Sequence, residues 1–200
     1  MRKSEDPIII LLGGASGVGK TTLANTLVHE FGLQHHVSTG FVRETVRALL
    51  PESLVGALNG HAFDAWKLID TDPNLPTHPA FQGTKVQAQL LRPAFEACIS
   101  RALREGISLV LEGSHLIPGL LEDSHDKISL ACIVDVPDRN LMLQRAAGDS
   151  HRRRILNTEQ LNSILGLQAE CLKLAAHHSL PIVDNTNLRT AVMEIRKLIR

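Results

Sequence analysis

The chain has 200 residues, 44% of them hydrophobic, a formal net charge of +0, and 3% aromatics that include no tyrosine. That is enough apolar material for one packed domain and too much for disorder. The charge balance argues against a dedicated nucleic-acid binder, and the shortage of aromatics against a base-stacking platform. No apolar run approaches the ~18 residues that span a bilayer. The charged start, Met1 to Asp6, precedes an apolar run too short for a signal peptide. Cys98, Cys132 and Cys171 are odd in number and far apart, without metal-ligand spacing or a disulfide framework. They read as reduced thiols of a cytoplasmic protein.

In chain order, Ile8 to Leu12 is a short apolar strand. It runs into a glycine-rich loop, and a helix leaves that loop with Leu23, Leu27 and Phe31 on one face and Gly32 at its end. His35 to Thr39 reads as a second strand, and Phe41 to Leu50 as a helix stopped by Pro51. Asn59 to Asp70 is expected to hold a short helix around Phe63 and Trp66. Residues 71–79 carry three prolines and form the clearest loop. A long helix is predicted from Gln82 to Arg104, kinked at Pro93 and closed by Gly106. Ile107 to Leu111 is a buried strand ending at Glu112, and a loop follows to Gly119. Ile128 to Val136 is a strand and Asp138 to Ala147 a helix. Gly148 to Arg154 is a polar break. Thr158 to His177 is a helix, Pro181 to Val183 a last strand, and Arg189 to Arg200 a closing helix. Strands alternating with helices imply a parallel sheet covered on both faces. The expected class is an α/β P-loop NTPase: a nucleotide-kinase-like, three-layer α/β/α domain over residues 1–200, with about five parallel strands and a small lid near 148–157.

Residues 14–21 fit G-x-x-x-x-G-K-[ST] between that strand and that helix. Gly14, Ala15, Ser16, Gly17, Val18 and Gly19 are expected to wrap a triphosphate with main-chain amides, beside the positive end of the helix that carries Thr22. Lys20 would bring a charge to the β- and γ-oxygens, and the Thr21 hydroxyl would hold Mg²⁺. Ligands of such sheets lie at the carboxyl ends of the strands, which selects the other candidates. Glu112 ends a buried strand where a second acidic group meets the metal. Arg43 and Arg47 share a helical face beside the expected acceptor pocket and suit a phosphate or carboxylate. His115 is placed to bind an anion or move the acceptor proton. Arg152 to Arg154 and Arg145 are candidates to stabilise the transferred phosphoryl group, Arg152 and Arg145 foremost. Asn185 and Thr186 follow the last strand, where the nucleotide base is expected. They lack the guanine-selective pattern, so the nucleotide is expected to be ATP. Asp64 and Lys67 stay open, and Phe63 and Trp66 read as packing residues.

The same residues resemble the archaeal 2-phosphoglycerate kinase family. The resemblance covers most of the chain: residues 13–21, Ser38-Thr39 with Val42-Arg43-Glu44, Phe63 to Trp66, Arg101-Ala102 with Glu105-Gly106, Leu109 to Gly119, and Pro181 to Asn187. The segment Glu-Gly-Ser-His-Leu-Ile-Pro-Gly, residues 112–119, is its most distinctive part. The resemblance implies Mg·ATP-dependent phosphoryl transfer to the hydroxyl of a small phosphorylated acid. Relatives turned to other phosphorylated hydroxy acids keep the acceptor open. The chain departs from the family at Gly40, where the family carries an aspartate suited to receive the hydroxyl proton. Three readings follow: Glu44, Asp64 or His115 serves instead; the reaction needs little base help; or the acceptor differs. The family's lid pattern is also missing, which leaves Arg139, Arg145 and Arg152 to Arg154 to stand in. The leading expectation is an ATP-dependent kinase for a small anionic metabolite, with no nucleic-acid or membrane partner and its oligomeric state open. The alternative is a nucleotide-binding regulatory or switch ATPase, which Gly40 favours. A polynucleotide kinase ranks third.

Overall fold

A computed structural model describes residues 6–148 and 155–199. Five parallel strands, β1 Ile9–Gly13, β2 His35–Ser38, β3 Leu109–Glu112, β4 Leu130–Asp135 and β5 Ile182–Asp184, form one sheet in the order β2-β3-β1-β4-β5. The helices are α1 Lys20–Phe31, α2 Thr39–Leu49, α3 Glu52–Val55, α4 Pro79–Glu105, α5 Arg139–Ala147, α6 Thr158–His177 and α7 Leu188–Leu198. α1 packs on α7 and α4 on α6, which covers the sheet. β1 and β3 are therefore buried on both faces, as continuous apolar runs should be in a parallel sheet. Leu91, Phe95 and Ile99 of α4 and Phe63 of the segment before it are buried in the core. Each such side chain contributes about 1.5–3 kcal/mol by leaving water.

Helix ends follow local chemistry. Pro79 occupies the first turn of α4, where its missing N–H costs nothing, and the His78 ring accepts from Ala80 N. Gly32 and Gly106 close α1 and α4 in the left-handed conformation. Asn157 and Gln160 form a reciprocal capping box on α6.

The expected helix over 59–70 is instead two 3₁₀ runs, Gly56–Asn59 and Ala62–Leu68. The cause is α4. Gln87 Nε2 donates to Ala57 O and Gly60 O, and Thr84 Oγ1 donates to Ala62 O. These contacts take carbonyls that an α-helix needs for itself. α2 also starts at Thr39 rather than at Phe41, so Gly40 lies inside a helix. α4 runs through Pro93 without ending there.

Register positions the site. Glu112 sits opposite Leu12 of β1 and Ser38 of β2. The carboxyl ends of β1, β2 and β3 thus bring the glycine-rich loop, the start of α2 and Glu112 to one edge of the sheet.

Candidate active site

A cleft of about 700 Å³ opens at that edge. Ser16, Gly17, Gly19, Lys20, Thr21 and Thr22 form one wall, and Arg145 and Asn185 extend it. Ser38, Thr39, Gly40, Arg43, His61 and Phe63 form the other, and Glu112 to His115 the floor. A larger cavity of about 960 Å³ lies by Leu116 to Leu121, β4 and the end of α7. It contains none of the sequence-predicted site residues, most of which gather in the smaller cleft.

The glycine-rich loop is tightly enclosed. Gly14, Gly17 and Gly19 all have positive φ, which only glycine adopts without strain. At Gly19 a Cβ would also sit 2.6 Å from Asn185 Nδ2, and at Gly17 it would strike the Met142 carbonyl. The loop can therefore only be glycine where it turns. Lys20 is 8% exposed, and its Nζ donates to Ala15 O at 2.7 Å. Burial lowers the Lys20 pKa, and the Glu112 carboxylate opposes that shift. Val18 is buried, and its carbonyl accepts from Asn185 Nδ2 at 2.8 Å.

Glu112 is 3% exposed and accepts from Thr21 Oγ1 at 3.1 Å. Burial alone would raise its pKa. His36, Lys20 and Ser38 together outweigh burial and hold the carboxyl below the usual range. His36 is a contributor that sequence reasoning passed over. Its Nε2 lies 3.6 Å from Glu112 Oε1, while Nδ1 meets Asn25 Oδ1 at 2.8 Å. A hydroxyl and an ionised carboxylate converging beside the phosphate loop are hard oxygen donors of the kind Mg²⁺ takes.

On the opposite wall, Arg43 is 7% exposed and donates to Gly60 O and to Glu44. Arg47 is not brought to the cleft. It stays exposed on α2, paired with Glu44 at 2.9–3.0 Å, because α2 turns this position outward. Glu44 is held ionised, first by the Arg47 hydrogen bond, and lies outside the cleft lining. Asp64 accepts from Gln160 at 2.7 Å and pairs with Lys67 at 3.3 Å, and it too lies outside the lining. Lys67 reaches Glu159 at 2.5 Å, and Trp66 Nε1 donates to Ser163 at 3.2 Å. These side chains tie the 3₁₀ segment to α6.

His115 lines the cleft, and its ring is held by hydrogen-bond partners on both nitrogens. The ring is 4% exposed, with Nδ1 2.9 Å from Thr39 Oγ1 and Nε2 2.9 Å from Gln87 Oε1. Gln87 Nε2 already donates to two carbonyls, so its oxygen must accept. This assigns the proton to Nε2 and leaves Nδ1 to accept from the Thr39 hydroxyl. Burial first, then the charges of Arg43 and Lys20, push the ring pKa down to about 3. His115 is thus a neutral brace joining β3's loop, α2 and α4. Gly113 permits the arrangement, since a Cβ there would collide with Thr39 Oγ1.

Arg145 does reach the cleft, on the loop side. Its Nη1 and Nη2 donate to Asn185 O and Thr186 O at 2.9 and 3.0 Å. Asn185 is buried, and its N–H joins Asp135 O at 2.8 Å. Arg139 pairs with Asp135 at 2.6 Å, away from the cleft. Arg152 to Arg154 lie outside the described residues. Sequence reasoning also missed Gln87 and Gln168, two buried glutamines inside helices. No local pattern separates them from surface glutamines.

No family model matches the chain. The curated 2-phosphoglycerate kinase of Pyrococcus furiosus is 28% identical over 196 residues, 97% of this chain and 64% of that protein. The 2-phosphoglycerate kinase of Methanothermobacter thermautotrophicus is 29% identical over 204 residues, 98% of this chain and 67% of that protein. The resemblance read from the sequence is borne out by both. The chain spans about two thirds of the length of these relatives. Among solved structures, shikimate kinase from Acinetobacter baumannii in complex with shikimate superposes with a TM-score of 0.60 at 16% identity, covering 97% of this chain and 93% of that one. That likeness bears out the kinase-type P-loop fold. No helix among the described residues is long and apolar enough to cross a membrane.

Proposed function

We propose that this chain transfers the terminal phosphoryl group of ATP to a hydroxyl of a small phosphorylated hydroxy acid, 2-phosphoglycerate or a close chemical relative. One observation carries the reading. A single cleft holds a lysine-bearing phosphate loop on one wall and a buried arginine on the other, with Glu112 between them. The similarity to 2-phosphoglycerate kinases agrees with it. Loop amides and Lys20 take the nucleotide phosphates. Asn185, Thr186 and Arg145 border the base side. Thr21 and Glu112 hold Mg²⁺, which when bound neutralises charge on the phosphate oxygens. Among the described residues no cluster of three His, Cys, Asp or Glu side chains makes a separate metal site. A shared site on two protein oxygens plus substrate phosphates is how such an ion is usually kept.

Arg43 presents a cation to the acceptor's anionic group. Among the described residues lining the cleft, Glu112 is the one carboxylate. With Gly40 in place of an aspartate, transfer rests on positioning and charge rather than on a dedicated base. Arg152 remains a candidate to cover the transferring group. The three free cysteines, two buried and one half-buried, fit a reducing, cytoplasmic setting.

The test is ADP release from Mg·ATP measured against a panel of phosphorylated hydroxy acids. Release that requires one acceptor supports the kinase. Hydrolysis indifferent to every acceptor and coupled to a protein partner supports the switch ATPase instead.

A further inference from the structure

Gln168 lies in the middle of α6, 1% exposed. Its side-chain oxygen accepts from Ala15 N at 2.8 Å. Its amide nitrogen donates to Val134 O at 3.1 Å and to Asp135 Oδ1 at 2.8 Å. The same Asp135 oxygen takes Arg139 at 2.6 Å. A carbonyl and a carboxylate can only receive, so they fix which end of the Gln168 amide faces the loop. That end can only accept, and it meets the Ala15 N–H. On its other side, Ala15 offers its carbonyl to Lys20 Nζ at 2.7 Å. One loop residue is therefore gripped at both its polar groups.

We propose that Gln168 is a positioning residue for nucleotide binding, holding the first turn of the phosphate loop through the Ala15 N–H. The physical need is specific. Gly14, at φ +126°, has no Cβ to resist rotation of the peptide that follows it. Without Gln168, the Ala15 N–H becomes a buried donor with no acceptor. Rotating the Gly14–Ala15 peptide is the cheapest relief, and it turns the Gly14 carbonyl together with the Ala15 N–H, which disturbs the turn that presents the later amides. With Gln168 in place, the Ala15 N–H stays out of the phosphate site and the later amides of the loop serve the ligand. Arg139 and Asp135 hold the Gln168 amide in turn, so a pair outside the cleft helps set the loop. The proposal rests on reading the loop as the nucleotide site.

Calorimetric titration of the full chain with Mg²⁺ and a non-hydrolysable ATP analogue compares the natural protein with Gln168→Leu. The dissociation constant is expected to rise about tenfold, the scale of an orphaned buried donor. The KM for 2-phosphoglycerate at saturating nucleotide is expected to stay within twofold. Equal analogue affinity in a folded Gln168→Leu protein overturns this proposal alone. No analogue binding by the natural protein overturns the nucleotide site as well. A further measurement requires no variant: Ala15 amide exchange followed by NMR. Slow exchange both with and without the analogue supports the pin, and fast exchange in the free protein refutes it.

Discussion

The two walls of the cleft are built by different means. The nucleotide wall is one contiguous stretch, residues 14–22, where three positive-φ glycines, a lysine and a threonine follow each other between β1 and α1. The facing wall, proposed above to hold the acceptor, is assembled from α2, the 3₁₀ segment, the loop after β3 and a glutamine of α4. On the first wall main-chain groups are the instrument, and side chains such as Gln168 and Asn185 steady them. On the second wall a buried side-chain network, Thr39–His115–Gln87, sets where one arginine sits. A continuous loop tolerates new chemistry at its margins, whereas a network of neutral hydrogen bonds fails when any one member changes.

Substitutions on each wall separate these contributions. Lys20→Ala carries the largest expected effect: turnover falls at least about 10²–10³-fold, the scale of removing one preorganised charge stabiliser. The circular dichroism spectrum should stay unchanged. Near-normal turnover would break the account of the nucleotide wall. Arg43→Lys comes next, since one ammonium cannot replace a fork that also holds Gly60 O and Glu44. The KM for the acceptor should rise about tenfold or more, by the ~1.4 kcal/mol that a tenfold change represents. KM for ATP should not follow it, and steady-state kinetics with each substrate varied reads the difference. Glu112→Gln should raise the Mg²⁺ concentration giving half-maximal rate by roughly tenfold, because a charge-assisted metal contact becomes a neutral one.

His115 provides a pH experiment. Burial lowers its folded pKa to about 3 from the ordinary histidine value of 6.5. Between those values the unfolded chain binds more protons than the native one, so stability rises with pH across that window. The brace is at full strength above pH ~6.5 and weakens as pH falls toward 3. In denaturant titrations, His115→Gln should flatten that slope. The rate profile between pH 5 and 9 should show no step from this ring. Arg47→Ala has the smallest expected effect, within about twofold on either KM and under about 1 kcal/mol on stability, as for an exposed ion pair. A tenfold change there would show that α2 presents both arginines to the acceptor.

The order of strands and helices was legible because apolar runs, glycine closures and prolines act locally. α6, for example, spans the predicted Thr158 to His177. The 3₁₀ segment was not legible. Its carbonyls are claimed by Thr84 and Gln87, more than twenty residues away. His115 was recognised from its loop, but its two hydrogen-bond partners were not, because Thr39 and Gln87 lie far from it along the chain.

The amino-acid sequence by itself determined that a phosphate loop follows a buried strand, that the sheet is parallel, and that Glu112 stands at a strand end. Each of these depends on residue type and spacing along a few neighbouring positions. Only the tertiary structure decided which polar side chains face the cleft. It buried Arg43 and turned Arg47 to solvent, made His115 a neutral brace, and set Gln168 against Ala15 across 153 residues of chain. Protonation and hydrogen-bond direction are set by everything packed around a group, and no local pattern carries that information.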